Sequence, residues 1–392
     1  MCRHPMYLKR NEAGMRRTLR SEHGMALMMA LGAIVIIGVL MGGVLFVTTQ
    51  DYRVGSNTMR STRAAATADL GLNRVPVFWN LADNNRMQAG DTLKRTFPAP
   101  GGTATVIITR LGGPFFWVVS EGYAGGMGSQ ASARRRFGTL FRLDIPQMNF
   151  LGAITTQGTT TVNGNVSVNG NDAAPAGWGA CGAPGANVAG AAISPTTTAT
   201  VHGSVTLNGN PAVLTTPAAG DSNTYFTYGS TNYQSLAAAA SLTYPGGTQL
   251  TGVGPIAAGP VCQASVTPAN WGDPNRATPA GACESYFPTI HVLGDLKVTT
   301  GAGQGVLLVD GDLTVAGNFA FTGAVIVRGG LKMSGTGNKI TGAVMAASVD
   351  VNDNVALSGN TSLQYSSCAL MATLSASAYP KQAIQRGWVD MY

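Results

Sequence analysis

The sequence predicts an α+β protein that is mostly β: a long N-terminal transmembrane helix, a small antiparallel sheet, and then a parallel β-helix with a large insertion. Three observations predict this fold class. Residues 25–50 contain no charged side chain. Three strand-like runs separated by glycine-bearing turns follow between residues 103 and 143. Beyond residue 150, short apolar runs alternate with Gly and Asn at a regular step, which is typical of a solenoid.

The apolar run, MALMMALGAIVIIGVLMGGVLFVTTQ, is long enough to cross a bilayer, for which about 20 apolar residues suffice. Six basic residues precede the run, and the first charge after it is Asp51. The basic flank of a membrane helix stays in the cytoplasm. We therefore expect a single-pass inner-membrane protein with a cytoplasmic N-terminus and a periplasmic or extracellular C-terminal part. The basic residues are Arg3, Lys9, Arg10, Arg16, Arg17 and Arg20.

A secretory signal peptide is the alternative for this segment. Its apolar core would span about 7–15 residues and end in small residues of A-x-A type. The run here is longer, and Thr48-Thr49-Gln50-Asp51 is a poor cleavage site. A processing signal fits better before the run, at His23-Gly24-Met25, and an uncleaved signal anchor is the other alternative. Met15 is a second candidate start, which would give the compact leader MRRTLRSEHG.

The polar residues after the apolar run follow a pattern: Arg53-Val-Gly55-Ser-Asn57, then Arg63 with an Ala-rich stretch that ends at Asp69. With the basic leader and Gly24, residues 20–75 resemble the N-terminal segment of the PilX family of type IV pilus biogenesis proteins, which are minor pilins. One position departs from the major pilins, which carry glutamate as the fifth mature residue. Counted from Met25, that position is Met29.

This resemblance implies a prepilin-type leader at residues 1–24, cut between Gly24 and Met25 by a prepilin peptidase, and a pilin-like helix over residues 25–80. The implied partners are other pilins, the pilus assembly platform of the inner membrane, and membrane lipid. A surface polysaccharide, or a host or abiotic surface, is the expected ligand of the head. Incorporation into a cell-surface pilus is left open by Met29.

Charge excludes several functional classes. Residues 1–24 hold six of the 25 Lys and Arg and two of the 18 Asp and Glu, so 19 basic and 16 acidic residues remain after them. A nucleic-acid-binding protein would carry a clustered basic face. Only Arg134-Arg135-Arg136 hints at one, and the triplet lies in an alternating strand pattern that favours a solvated face. We expect no nucleic-acid partner. The low charged fraction, 11%, and the 52 glycines suit an exported β-rich protein.

Four cysteines remain on the exported side once Cys2 is set aside with the leader, and disulfides persist there. None forms a C-x-x-C motif, and the chain has four histidines, so a zinc site is poorly supported. Two disulfides are expected. We favour Cys262–Cys283 as a local loop and Cys181–Cys368 as a tie to the C-terminus, although four cysteines allow three pairings.

The strand-like runs 103–109, 115–122 and 131–143 predict an antiparallel β meander over residues 100–145. Residues 150–171 and 200–210 carry Thr/Val/Asn/Gly repeats and are predicted as the first rungs of the solenoid. A long N-terminal helix followed by a small antiparallel sheet is the layout of a pilin head.

The clearest repeat is C-terminal. Gly294-Asp295-Leu296, Gly311-Asp312-Leu313, Gly329-Gly330-Leu331 and Ala347-Ser348-Val349 recur at steps of 17, 18 and 18 residues. Residues 291–368 are therefore predicted as a parallel β-helix, with residues 369–392 as a C-terminal cap and residues 172–290 as a Pro/Gly/Thr/Ala-rich insertion held by disulfides. Val309, Val327 and Ala346 should occupy equivalent places one rung apart, and Lys339 should lie at a corner. Short rungs of this kind also resemble the bactofilins.

Catalytic motifs are absent from the sequence: there is no G-x-S-x-G, no phosphate-binding loop and no H-E-x-x-H. Asp310, Asp312, Asp350 and Asp353 are better explained as turn residues than as a carboxylate or Ca²⁺ site. Aromatic residues that would suit a carbohydrate-binding patch are better explained as core or loop anchors; they are Trp178, Trp271, Trp388, Tyr225, Tyr228 and Tyr233. We expect no catalytic residue, cofactor or metal.

Two functions fit these features. The first is a non-enzymatic, membrane-anchored minor pilin of PilX type for pilus assembly, whose β-helix head serves adhesion or another surface interaction. The second is a signal-anchored envelope protein whose β-helix binds or processes a polysaccharide. A cytoplasmic bactofilin-like polymer is disfavoured by the predicted export and by the cysteines.

The leader gives the first testable prediction. Cleavage after Gly24 should leave Met25 as the N-terminal residue of protein recovered from membranes, because the processing signal precedes the apolar run. Intact-protein mass spectrometry measures this directly. A species that retains residues 15–24, or one cut near Gln50, would contradict the assignment of a prepilin-type leader.

Overall fold

The computed structural model describes residues 22–79, 84, 87–100, 102–125, 133–179, 181, 183–264, 269–346, 355–357, 360–383 and 388–391. Four α-helices lie in these ranges: α1 (Glu22–Arg74), α2 (Ser222–Phe226), α3 (Tyr233–Ala238) and α4 (Ser367–Ala376). Short 3-10 turns cover Pro217–Gly220 and Pro279–Gly281. The first helix ends before residue 80, where the sequence predicts its end. Pro76 accounts for the difference, because proline lacks an N–H and disfavours helix in the preceding residue.

The strands of the first half of the chain are β1 (Thr92–Ala99), β2 (Gly102–Gly112), β3 (Phe115–Ala124), β4 (Ala133–Asp144), β5 (Gly152–Thr156), β6 (Thr160–Asn163), β7 (Asn165–Asn169), β8 (Ala189–Ile193), β9 (Ala199–His202), β10 (Val205–Asn208) and β11 (Val213–Thr215). Six short strands follow: β12 (Thr227–Tyr228), β13 (Thr231–Asn232), β14 (Leu242–Pro245), β15 (Thr248–Leu250), β16 (Ala257–Ala258) and β17 (Val261–Cys262).

The remaining strands are β18 (Thr289–Leu293), β19 (Leu296–Val298), β20 (Gly301–Val309), β21 (Leu313–Ala316), β22 (Phe319–Val327), β23 (Leu331–Ser334), β24 (Thr336–Ala346), β25 (Val355–Leu357), β26 (Asn360–Tyr365), β27 (Tyr379–Gln382) and β28 (Trp388–Met391). The described part of the chain is thus mostly β, with one long apolar helix at its N-terminus.

An antiparallel sheet follows α1. Its strands run in the order β1-β2-β3-β4, and β27 and β28 both pair with β4 at its other edge. The three predicted runs are β2, β3 and β4. The sequence did not predict β1, whose TLKRTFPA pattern has only two large apolar residues. Nor did it predict that the last residues, expected as a cap, return to this sheet.

Two parallel sheets make up most of the rest. One has the strand order β10-β7-β26-β24-β22-β20-β18-β14, with β5, β8 and β11 paired alongside; the other runs β15-β19-β21-β23-β25-β6-β9. We call these strands together the parallel stack. Val309 pairs with Val327, and Val327 pairs with Ala346, in the register that the 18-residue step predicts. The repeat Ala347-Ser348-Val349 lies outside the described residues.

The order of strands in the stack differs from their order in the chain. Strands β5, β6 and β7 pair with β24, β25 and β26, which come almost 200 residues later. The predicted insertion then contributes layers at both ends: β8 to β11 at one, β14 and β15 at the other. The two repeat blocks of the sequence therefore form one continuous stack, with residues 152–169 inside it.

Corners of the stack place backbone close to backbone. Gly323 has a φ of 138°, and a Cβ there would collide with the carbonyl oxygen of Gly305 in the preceding layer. Asp residues at another corner link successive layers. The Asp295 carboxylate accepts from the N–H of Asp312 at 2.8 Å, and the Asp312 carboxylate accepts from the N–H of Gly330 at 2.8 Å. The G-D-L repeat is thus a chain of side-chain to backbone hydrogen bonds.

Both sides of the central strands are buried. Inside the stack lies a core of Val, Ile, Leu and Phe that includes Val309 and Val327. On the outer side, α2, α3 and α4 cover alternate residues of the same strands with Tyr225, Tyr228 and Leu370. The runs VLLV, AVIV and AVMA are apolar without alternation because neither side of these strands faces water.

Replacing Val327 with aspartate tests the register. Val327 is fully buried between Val309 and Ala346, so Val327→Asp would bury a carboxylate with no partner. We expect a loss of several kcal/mol in stability, of the order found for unpaired buried polar groups. The fall in melting temperature of the full chain in detergent, followed by circular dichroism, measures it.

Lys339→Asp is the matched control. Lys339 lies in strand β24 and not at a corner, contrary to the sequence-based expectation, but its side chain is exposed. An aspartate there stays in water, and the melting temperature should change little. If the two variants melt alike, the inward position of Val327 is wrong.

Candidate functional site: the N-terminal helix and its sheet

The first half of α1 has no partner in this chain. In the described residues, α1 is the single helix long and apolar enough to cross a membrane, with a mean hydropathy of 2.7 in its most apolar window and none of that window buried. Every residue from Met25 to Gly55 is exposed. An exposed surface of this size and composition is compatible with anchoring in a membrane.

The predicted cleavage site lies at the start of this helix. Gly24 belongs to the first turn of α1, and the side chain of Met25 is 65% exposed. The six basic residues of the leader fall among residues 1–21, outside the described residues. Processing between Gly24 and Met25 therefore stays a prediction.

The second half of α1 packs on the antiparallel sheet through a stripe of small residues. Ala64 and Ala68 are fully buried, and Leu72 is 2% exposed. Gly122 of β3 lies directly under the backbone of Ala64, where a Cβ would collide with the helix. The spacing 64, 68, 72 is that of one helix face. The stripe fixes the direction in which the apolar half leaves the sheet.

The other face of the sheet carries an ion-pair cluster. Glu121 accepts from Arg134 and from Tyr123 at 2.9 Å, and Arg136 lies 2.7 Å away. Burial alone would raise the pKa of Glu121, but the hydrogen bonds from Arg134 and Tyr123 and the two arginine charges lower it below the ordinary value. Arg135 points to the helix side, where it donates to Ser61 at 2.9 Å.

The arginine triplet is therefore split between the two faces of β4. Arg134 and Arg136 lie on one face and Arg135 on the other, as alternation along a strand requires. Its charges are paired inside the protein, which agrees with the expectation from the sequence.

Asp144 joins the sheet to the parallel stack. Its carboxylate accepts from Ser230, in the turn between β12 and β13, and from the ammonium of Lys381 at 2.9 Å, with Arg142 at 3.7 Å. Burial would raise the pKa of Asp144, but the hydrogen bonds from Ser230 and Lys381 and the charges of Lys381 and Arg142 lower it. One side chain thus holds the end of β4, the β12–β13 turn and β27 together.

The structure places both expected cysteine pairs at bonding distance. Cys181 and Cys368 have their Cα atoms 5.7 Å apart, and Cys262 and Cys283 have theirs 5.0 Å apart. The first pair ties the predicted insertion to α4. The second closes a loop of 21 residues beside Trp271, the largest fully buried side chain. Cys2 lies outside the described residues.

A polar cluster that the sequence did not predict lies on the outer side of the stack. The Asp310 carboxylate accepts from the hydroxyl of Tyr233 at 2.9 Å and lies 2.9 Å from His291 Nε2 and 3.5 Å from Arg328. Burial, with Asp310 beside it, raises the pKa of Tyr233. Asp310 and Arg328 each directly follow a paired valine, Val309 and Val327, which is the signal in the repeat.

This cluster fastens α3 to the stack. Asp312 has the corner role described above, while Asp350 and Asp353 lie outside the described residues. The described ranges contain no group of three or more His, Cys, Asp or Glu placed to hold a metal ion. Five of the aromatic residues considered as a patch are at most 7% exposed and belong to the packed interior: Trp178, Trp271, Tyr225, Tyr228 and Tyr233. The side chain of Trp388 lies outside the described residues.

Comparisons with known proteins find little. No protein-family profile matches the chain, and no curated protein matches its sequence. Among solved structures, the chain is similar to the competence-associated pilin ComZ from Thermus thermophilus, with 11% sequence identity and a TM-score of 0.21 over 84% of this chain and 97% of that chain. A TM-score of this size supports no argument about function, which has to come from the chain itself.

Asp144 gives a pH-dependent prediction. Because its pKa is lower in the folded protein than in the unfolded chain, ionisation stabilises the fold above the unfolded pKa of about 4. That stability is lost as the pH falls through the folded pKa. Asp144→Asn should cost about 2 kcal/mol at pH 7, the size of charge-assisted hydrogen bonds, and should melt more like the wild type at pH 3. Thermal melts of both proteins from pH 3 to 7 measure this.

Asp69→Asn is the matched control for that series, because Asp69 is exposed on α1 and lies far from the junction. It should leave the pH dependence of melting unchanged. A constant gap between Asp144→Asn and wild type across the whole pH range would show that the carboxylate charge does not hold the junction.

Proposed function

We propose that this chain is a non-enzymatic, membrane-anchored pilin-like protein of PilX type, which takes part in type IV pilus assembly and presents a β-rich head outside the membrane. The observation that carries the proposal is the single helix α1, whose first half is apolar and wholly exposed while its second half is docked on an antiparallel sheet. A signal peptide needs no such docking. A pilin subunit needs both halves in one rigid rod.

The head in this proposal is a parallel β-helix. The support is the register: in two separate sheets, each strand pairs in parallel with the strand about 17–19 residues further on, as in β18 to β20 and β19 to β21. Glycine corners and the Asp295–Asp312 links recur at the same step. Adhesion or another surface interaction is the role proposed for this head.

The membrane half supplies the assembly contact in this proposal. Its glycines leave open space on the helix surface, since a Cβ at Gly38 or Gly42 meets nothing within 4 Å. Small residues four positions apart permit close approach of a second helix. Other pilins in the inner membrane are the proposed partners, after a prepilin peptidase has removed residues 1–24.

Shearing of filaments from cells tests this function. Cells that express the tagged chain with the other pilus components should release it with the sheared filaments, or hold it in complex with pilins in the membrane fraction. Gly42→Leu should reduce that association several-fold without reducing membrane anchoring, because it adds bulk to the helix surface.

Gly55→Leu is the control, since Gly55 is equally open but follows the apolar run. It should associate like the wild type. If the chain stays in the membrane with no pilin bound and none in the filaments, the alternative of a signal-anchored envelope protein replaces the pilin.

A further inference from the structure

The antiparallel sheet has a second face, opposite α1, that the proposed function does not use. Strand alternation places Tyr123, Glu121, Val119, Trp117 and Phe115 of β3 on this face. Their register partners on β4 are Arg134, Arg136, Gly138, Leu140 and Arg142. We call these ten residues, with Lys94 of β1 and Lys381 of β27 at the edges, the outer face.

Cations lie above the anions on the outer face. The side chains of Arg134, Arg142 and Lys381 are 51%, 59% and 54% exposed. The carboxylates that they pair with, Glu121 and Asp144, are each 10% exposed. Each carboxylate serves two cations, so the surface that meets solvent is positive at both ends.

Aromatic side chains lie between these ends. Phe115 is 41% exposed, and Trp117 and Tyr123 are half-buried. Gly138 stands across from Val119 and has no side chain to fill the space beside Trp117. The middle of the face is therefore uncharged, with aromatic rings and a shallow depression.

We propose that the outer face binds an acidic polysaccharide in which neutral sugars separate the acidic ones. Exposed arginines match carboxylates with a planar fork of N–H donors. Aromatic rings offer apolar surface on which the C–H faces of neutral sugar rings pack. The charges of the face and the aromatics between them fit both kinds of unit in one chain.

The spacing of the charges favours a polysaccharide over a nucleic acid. Six residues separate Arg136 from Arg142, which at about 3.4 Å per residue is about 20 Å. Val119, Gly138, Trp117 and Leu140 fill that interval without a charge. A nucleic acid carries a phosphate at every nucleotide and would place several of them over this apolar stretch, where no cation meets them.

The proposal goes beyond pilus assembly, since binding needs only the folded chain. Fluorescence anisotropy with a labelled hyaluronan oligosaccharide, which alternates glucuronate with N-acetylglucosamine, measures it on the full chain in detergent. Neutral dextran and a 20-nucleotide oligo-dT are the competing probes. We expect hyaluronan to bind, to bind less at high salt, and to be displaced by neither dextran nor oligo-dT.

The double variant Arg134→Gln/Arg142→Gln should weaken hyaluronan binding about tenfold, the loss of about one charge-assisted hydrogen bond. Arg63→Gln/Arg95→Gln is the matched control: it removes the same charge from exposed residues, one on α1 and one on the opposite face of β1. Its affinity should equal that of the wild type. Both pairs are exposed, so the fold should persist, and a circular dichroism melt checks it.

Three outcomes would overturn the proposal: no binding of hyaluronan by the folded wild type, an equal loss in the two double variants, or tighter binding of oligo-dT than of hyaluronan. Trp117→Ala adds a test of the aromatic middle. If this variant melts like the wild type and binds hyaluronan equally well, the sugar-stacking role of Trp117 is wrong.

Discussion

The close approach of α1 to the antiparallel sheet at Ala64 and Gly122 is the contact on which the rest of the architecture depends. The apolar half of the helix touches nothing in this chain, so its direction is set entirely by the residues that follow it. Small side chains there bring two backbones together but bury few methylene groups. Leu72, Val75 and Phe116 supply the larger apolar surface on either side of the stripe.

The parallel stack is held by a different device. Its central strands are buried on both sides, inward in the aliphatic core and outward under the aromatic residues of α2 and α3 and the leucines of α4. The segment expected as an excursion from a solenoid is thus part of the fold, because it covers one side of the stack. The Tyr233–Asp310 hydrogen bond and the Asp144–Ser230 contact fix that cover at two places.

Local pattern was enough to predict the helix, strands β2 to β4, the 18-residue register of Val309 with Val327, and the pairs of cysteines that meet. It was not enough to place β5 next to β24, because contacts between segments almost 200 residues apart depend on the shape of the whole stack and leave no local periodicity. Strand β1 escaped for another reason: Lys94, Arg95 and Pro98 suit an exposed edge and resemble a loop. For the candidate site, Gly24 and Met25 were read from the residues alone. The Glu121 cluster needed the pairing of β3 with β4 to become visible.

Both connections between the sheet and the stack leave from one corner. Strand β4 ends at Asp144 and β27 begins at Tyr379, and these two residues are direct partners in the sheet. A pull on the stack would therefore be shared by two neighbouring strands that are loaded side by side in the same direction. Tension would pass from them through the whole width of the sheet to α1, and a subunit held by its helix could bear a load on its head without unzipping strand by strand.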